Sequence, residues 1–384
     1  SVDLLLWFMH TWENSHSEAT RSRAIMWGAV FISGAIMALP GVAWIVISQS
    51  WSLELPLYTF HSWRVFVIIC GLPSFITAAL LIFYLPESPK FLLAQDREEE
   101  AIDVLRYMYT QNSGHSPQDY KVIGLVRECG TNNNRCRRQT VSGVLELMWS
   151  QTKPIFLSPH LTKTLLGFSL MFGIYASFNG LLLWLPDMFN RLAEYGQLHF
   201  GESATVCRVI STIASNGTST TTLTNTTLQC SATVAPTVFK KSLIIGGSSA
   251  VANIICVFLI AHVGKKNLLV ICMVGSGISG FAMLFASSAT QLLILSSILE
   301  GLTMTSPTVL SSILIDIYPT HLRAMAVCMS LLMGRVGTVV SSSILGVLLE
   351  VNCNLVFIAL GGILLVCGGL GYLLPSPWQW RVRR

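Results

Sequence analysis

At 384 residues, 52% of them hydrophobic and only 11% charged, the chain could not be kept soluble as one globule. Its net charge of +5 is spread over loops and makes no basic stripe, which argues against nucleic acid as a partner. Charge belonging to cytosolic loops of a membrane protein explains the surplus better.

The first residues, Val2–His10, are apolar but too short to cross a bilayer, and no signal-peptide pattern precedes them. Because the chain opens on Ser1, a piece of a longer product is expected, with this stretch the end of an upstream span or an unrelated splice. Eight long apolar stretches follow: Ala24–Ile47, Val65–Leu85, Leu165–Leu185, Ser242–Val263, Leu268–Ala286, Leu292–Ile315, Ala324–Leu349 and Leu355–Leu374. A helix needs ~20 mainly apolar residues to cross ~30 Å of hydrocarbon, and each stretch is long enough. Between the second and third, Pro86–Lys163 mixes ten basic with nine acidic residues. Within it, Ala101, Val104, Leu105 and Met108 have helical spacing, so Glu98–Thr110 should be a short surface helix.

Orientation follows from Lys and Arg counted loop by loop. Arg21 and Arg23 precede the first span, Pro86–Lys163 holds ten, Lys265 and Lys266 share one tight turn, Arg323 another, and Arg381, Arg383 and Arg384 end the chain. The alternate loops are poor in both, except that Pro186–Lys241 holds four. That segment also carries two glycosylation acceptors, Asn216-Gly-Thr218 and Asn225-Thr-Thr227. Basic loops therefore fall on one side, with both chain ends cytosolic, and the acceptors fall on the other.

Of the ten cysteines, Cys70, Cys256, Cys272, Cys328 and Cys367 lie inside spans and read as small apolar filler. Cys207 and Cys230 bracket the glycosylated loop on its oxidising side, and a disulfide closing that loop is expected. Cys129 and Cys136 read as free thiols, since no second pair at zinc spacing accompanies them.

Two charges lie deep. At ~1.5 Å per residue, Glu300 is ~13 Å in from the non-cytosolic end of its span and Arg335 ~16 Å in from the cytosolic end of the next. They are thus nearly level, and the pair is expected to meet in the bundle interior, because an unpaired charge there costs several kcal/mol. Pro307, with Ser/Thr at 303, 305, 306 and 308, interrupts one span, and Asn179-Gly180 splits another. Polar residues beside such breaks suggest backbone facing a cavity. Tyr175, Asn179 and Trp184 share a helical face there, although Trp184 serves equally well as an interface anchor. Gly275-Ser-Gly-Ile-Ser-Gly280 matches a dinucleotide fingerprint by letter, but it lies inside a span with no strand before it. Its small residues should let two helices approach closely. No nucleophile–base constellation, metal spacing, phosphate loop or cofactor motif is recognisable, so the chain does not read as an enzyme.

Several motifs together resemble one family. Phe60-His-Ser-Trp-Arg-Val-Phe-Val67 followed by Pro86-Glu-Ser-Pro-Lys-Phe91 looks like the sixth span and the start of the central loop of the major facilitator superfamily. Within it, the resemblance is closest to the synaptic vesicle glycoprotein 2 group and its invertebrate relatives. Trp184-Leu-Pro-Asp-Met188 is similar to the outer end of that group's seventh span. Asp316-Ile-Tyr-Pro-Thr-His-Leu-Arg323 is similar to its acidic turn between the tenth and eleventh, and Glu18-Ala-Thr-Arg-Ser-Arg23 to the turn before the fifth. The resemblance covers Glu18 to Leu374. Placed on the family's twelve spans, the eight here are the fifth to the twelfth. The vesicle group's large luminal repeat domain is replaced by about fifty Ser/Thr-rich residues, and Leu374-Pro-Ser-Pro377 stands where sugar porters carry an acidic motif.

The expected fold is therefore an all-α membrane protein of the major facilitator type. Residues 1–85 would be a remnant of the N-terminal bundle and 86–163 a cytosolic central loop. Residues 164–375 would form a complete six-helix C-terminal bundle containing the luminal or extracellular loop 186–241, and 376–384 a cytosolic tail. The resemblance implies a multi-pass transporter in a vesicle or plasma membrane. It would move a small organic solute, with a coupling ion as an option, by alternating access. The alternative is a transport-inactive vesicle glycoprotein serving trafficking or binding. It also implies that Glu18, Arg23, Glu87, Asp316 and Arg323 latch the cytosolic face, where a carboxylate and a planar guanidinium at the water boundary pair well.

Overall fold

The computed structural model describes residues 18–47, 52–54 and 59–83, most of 86–125, 149, 152–158, 160–198, 205–210, and 236–374 except 319. Asn216, Asn225, Cys129, Cys136 and Cys230 lie outside the described residues, as do the side chains of Glu18 and Arg23.

Helix α1 spans Glu18–Ile47 and is followed by two short strands, β1 (Ser52–Glu54) and β2 (Thr59–His61). These pair antiparallel with Ser52 opposite His61, a hairpin that span counting does not foresee. Then come α2 (Ser62–Phe83), α3 (Pro89–Ala94), α4 (Glu98–Ser113), α5 (Leu161–Leu198), α6 (Pro236–Val263), α7 (Lys265–Ala282), α8 (Ala289–Ile317), α9 (Thr320–Val351) and α10 (Cys353–Tyr372). All but α3 and α4 are long and apolar enough to cross a membrane, so eight spans stand where eight apolar stretches were read. The protein is an integral, multi-pass membrane protein. Hydrocarbon offers the backbone no hydrogen-bond partner, so each span satisfies its own N–H and C=O groups as a helix. For the same reason the two expected interruptions do not break their helices. α5 continues through Asn179-Gly180 and α8 keeps Pro307 inside it.

By contacts the chain divides into Gly71–Ser150 and a larger unit of Val2–Cys70 with Gln151–Arg384. In the smaller unit, the helix expected at Glu98–Thr110 is present and runs on to Ser113. Glu98, Glu99 and Glu100 sit in its first turn, where the helix dipole favours negative charge. Gly114, at φ 68°, takes the left-handed conformation that ends it. Arg97 bonds Glu100 and holds that carboxyl below its ordinary range.

The larger unit is assembled along three seams of small residues. In the first, α5 and α9 run parallel: a β-carbon added at Gly337 would lie 2.5 Å from the Phe172 carbonyl oxygen, and one at Gly334 would lie 2.7 Å from the Tyr175 ring. Two hydrogen bonds lock this seam. Ser341 Oγ donates to the Ala176 carbonyl at 2.6 Å, and the Trp184 indole N–H donates to the Ser342 carbonyl at 3.0 Å. In the second, α7 and α10 run antiparallel with Gly277 and Gly280 against Gly361, where a β-carbon on Gly280 would lie 3.1 Å from the Gly361 Cα. Half of the misleading dinucleotide-like motif is thus a helix-packing surface, as its place in a span suggested. In the third, α1 and α6 run antiparallel. Gly246 abuts the Met37 backbone, and Asn253 Nδ2 donates to Ser33 Oγ at 2.8 Å.

The ends of these helices are tied differently. At one end the Val206 N–H donates to the Ala286 carbonyl at 3.0 Å, and Cys207 forms a disulfide with Cys353. The expected partner was Cys230, so this is a correction. Cys353 opens α10 at the same end of the bundle, and its Cα lies 5.3 Å from that of Cys207, within disulfide reach. The bond therefore ties the loop to the last span and does not close the loop on itself.

Two outcomes follow. Cys353→Ser should leave a Cys207 thiol that reacts with a maleimide under non-reducing denaturation, whereas Cys230→Ser should leave the Cys207 bond intact. Gly337→Val should lower thermal stability by about 1–3 kcal/mol, the usual cost of overpacking, because backbone must move to admit it. Gly362→Ala, with nothing within 4 Å, should leave it unchanged.

Candidate functional site

The α5–α9 seam places four of the expected path residues. The Arg335 guanidinium lies over the Tyr175 ring at 5.6 Å from its centroid, a geometry that a cation and an aromatic face both favour. It stands there because Gly334, its neighbour, lets α9 ride directly on the Tyr175 ring. One turn along α5, Asn179 Nδ2 donates to the Tyr175 carbonyl at 3.4 Å. The side chains of Tyr175, Asn179 and Trp184 are half-buried, while Arg335 is exposed on its helix. Trp184 is committed to the Ser342 carbonyl and packs on Gly346, so it serves the seam more directly than a path.

Glu300 is elsewhere. It is 0% exposed within α8, and neither carboxylate oxygen has a hydrogen-bond partner. The expected Glu300–Arg335 pair is not made, and the physical reason is rotational. Equal depth places two residues on one level of a bundle, but α9 turns Arg335 toward α5 and its exposed face while α8 turns Glu300 inward. Around Glu300, Thr303 Oγ1 donates back to the Leu299 carbonyl at 2.7 Å and Thr305 Oγ1 to Gly301 at 3.1 Å. These hydroxyls satisfy themselves on their own helix and leave the carboxylate alone. Pro307 is half-buried, two turns further along α8.

The polar contact that sequence reasoning missed is Ser33–Asn253. Asn253 is fully buried, bonds both Ser33 and the Ser249 carbonyl, and leaves its own Oδ1 without a partner. A lone amide inside an apolar span was the available signal, since such residues usually hydrogen-bond across helices.

At the opposite end from the disulfide, Asp316 pairs with Lys265 at 2.5 Å. The pair joins two turns that are far apart in sequence, with Lys265 as the partner. Arg323 stands half-buried at the start of α9. Nearby, Thr164 and Tyr318 share a hydrogen bond of 2.7 Å, and the His160 ring lies 5.8 Å from that of Tyr318. Burial raises the Tyr318 phenol above its ordinary value, and the bond to Thr164 opposes that rise. Glu87 is exposed in the smaller unit, where its charge acts on Arg97. No group of three metal-ligating side chains occurs among the described residues.

The Lys265–Asp316 pair is about a fifth exposed on each side, so its contribution should be modest and sensitive to salt. Asp316→Asn should lower stability by about 1 kcal/mol or less. The charge-swapped Lys265→Asp/Asp316→Lys variant should recover most of that in a thermal melt.

Comparison with known proteins divides the chain between two family models. One described as Sugar (and other) transporter matches residues 9–192, and Major Facilitator Superfamily matches residues 204–383. Among curated proteins, the chain is 28% identical to Synaptic vesicle glycoprotein 2B of Rattus norvegicus over 189 residues, 45% of this chain and 27% of that protein. It is 31% identical to Synaptic vesicle glycoprotein 2C of Mus musculus over 202 residues, 46% of this chain and 27% of that protein. With Synaptic vesicle glycoprotein 2A of Rattus norvegicus it shares 29% identity over 196 residues, 46% and 26%. The chain thus spans about a quarter of the length of these curated relatives. Eight helices long and apolar enough to span a membrane among the described residues, and family matches over residues 9–192 and 204–383, agree: the chain belongs to the major facilitator superfamily.

Proposed function

We propose that this chain moves a small organic solute across a membrane by alternating access. The observation that carries the reading is Arg335, a charge near the middle of a span, exposed on its helix and held over the Tyr175 ring. A guanidinium at that depth does not face lipid stably, so the surface it occupies borders a wet path or a polar solute. Tyr175 and Asn179 line the same seam, and a rigid aromatic ring beneath a cation makes a defined binding surface. At the cytosolic end, Lys265–Asp316 acts as a latch. Arg323, Glu87, Glu18 and Arg23 are further charges for that role.

In this reading residues 164–375 form one six-helix bundle, 86–163 is the cytosolic central loop, and both chain ends are cytosolic. The loop 186–241, carrying Asn216 and Asn225, faces a lumen or the outside. The disulfide supports that orientation, since an oxidising compartment favours it and the basic turns lie at the other end. The names of these relatives favour a vesicle membrane. They also favour a second reading, in which the chain has kept the transporter fold and acts in vesicle trafficking or binding without moving a solute.

Uptake into proteoliposomes containing the full chain separates the two. The panel should include a hexose, a quaternary ammonium ion and a carboxylate. At least one should accumulate, and Arg335→Ala should reduce its uptake about tenfold or more, the effect of losing ~1.4 kcal/mol of interaction, with the thermal melt preserved. No uptake of any of the three by a well-folded chain would favour the second reading.

A further inference from the structure

At the end of the bundle that carries the disulfide, the turn between α7 and α8 borders a groove of about 310 Å³, lined by Ala282, Phe285, Ala286, Gln291, Ile294 and Leu295. Helix α7 ends at Ala282 and tightens into a 3-10 turn, Met283–Phe285, before α8 starts at Ala289. The change of pitch turns Met283 into the core, 1% exposed, and Phe285 out of it, 82% exposed. The Ala286 carbonyl accepts from the Val206 N–H, next to the Cys207–Cys353 bond, so this wall of the groove is fixed to the stapled end. The lining lies at the ends of two spans, where hydrocarbon gives way to headgroups and lipid is the available ligand.

One polar side chain, Gln291, belongs to the lining. A backbone N–H can only donate, so the Gln291 amide atom that meets the Ser287 N–H at 2.9 Å is its oxygen. The Ser287 hydroxyl donates to the same oxygen at 3.1 Å. Oε1 is therefore used twice, and Nε2 donates to nothing among the described residues. The Ser287 oxygen, having given up its one proton, keeps lone pairs that can accept. A donor and an acceptor side by side suit a single hydroxyl, which accepts from Nε2 and donates to Ser287 Oγ. No charged side chain is in the lining, so a phosphate or an ammonium headgroup finds no countercharge there.

We propose that this groove binds a membrane sterol, with the sterol hydroxyl on Gln291 and Ser287 and the ring system along Ala282, Phe285 and Ala286. The volume is at the lower end of the range for small-molecule sites, as a single compact lipid requires. A rigid ring system gives up little conformational freedom on binding, whereas a flexible acyl chain gives up much more for the same apolar contact. Small side chains at Ala282 and Ala286 leave room for a flat ligand face, and the exposed Phe285 ring covers its edge. Occupancy braces the α7–α8 turn at the stapled end of the bundle. The site needs no transported solute and stands whether or not the chain moves one.

A photoreactive cholesterol probe in vesicles holding the full chain tests the site. It should label peptides containing Phe285 or Ile294, and unlabelled cholesterol should compete. Ile294→Trp, which fills the groove, should cut labelling about tenfold or more, while Val366→Trp, at an exposed position of α10, should leave it unchanged. Gln291→Leu should weaken the competition about tenfold, the scale of one or two neutral hydrogen bonds. The 3-keto analogue of cholesterol accepts but cannot donate, so it should compete less well than the alcohol. That comparison needs no variant and stands even if Gln291→Leu loosens the turn. Labelling confined to other peptides, labelling that Ile294→Trp leaves intact, or equal competition by alcohol and ketone would overturn the proposal. So would labelling of the same peptides by a photoreactive phosphatidylcholine that cholesterol does not displace, which would assign the groove to ordinary bilayer lipid.

Discussion

The contact on which the rest depends is the approach of α5 and α9 to backbone distance. Lipid is as apolar as a leucine side chain, so burying apolar surface does not draw spans together as it does in water. Close dispersion contact and a few interhelical hydrogen bonds must do so. Gly334, Gly337 and Ser341 recur at helical spacing on α9 and let Phe172, Tyr175 and Ala176 sit directly on it. The Arg335 position is a by-product of this seam. With Gly334 flush against Tyr175, its neighbour projects across the ring.

The same device recurs with different consequences. On α7 and α10, Gly277, Gly280 and Gly361 give a seam of close backbone approach. On α1 and α6, small residues at Gly41 and Gly246 are joined by the Asn253–Ser33 bond, which adds direction to an otherwise featureless contact. Charge is confined to where it can be satisfied. Lys265–Asp316 and the Thr164–Tyr318 hydroxyl pair stand at one end, and the disulfide at the other. Between them, Glu300 and Arg335 stand well inside their spans, the first enclosed and the second held over the Tyr175 ring.

A bundle tied at one end by a covalent bond and at the other by an ion pair about a fifth exposed has unequal ends. The Cys207–Cys353 bond opens only by chemistry, whereas Lys265–Asp316 can separate into water at small cost. For the proposed alternating access, opening is therefore easier to build at the Lys265–Asp316 end, by separation of charges, and at the other end by movement of whole helices around a fixed staple.

The sequence alone determined the eight spans, the helix at Glu98–Thr110, the small-residue role of Gly275–Gly280 and the depth of Glu300 and Arg335. These depend on length, hydropathy, spacing and rise per residue, all of which are local. Tertiary structure decided which face each deep residue presents and which residue it meets. Depth comes from counting along one helix, but azimuth comes from packing against others. That is why Glu300 and Arg335, level by count, turn apart, and why Tyr175 becomes the partner of Arg335. Cys353 rather than Cys230 joins Cys207 for a similar reason: loop spacing says nothing of which helix end lies nearest. Lys265, noted as a turn residue, became the partner of Asp316 because two turns far apart in sequence meet at one end of the bundle.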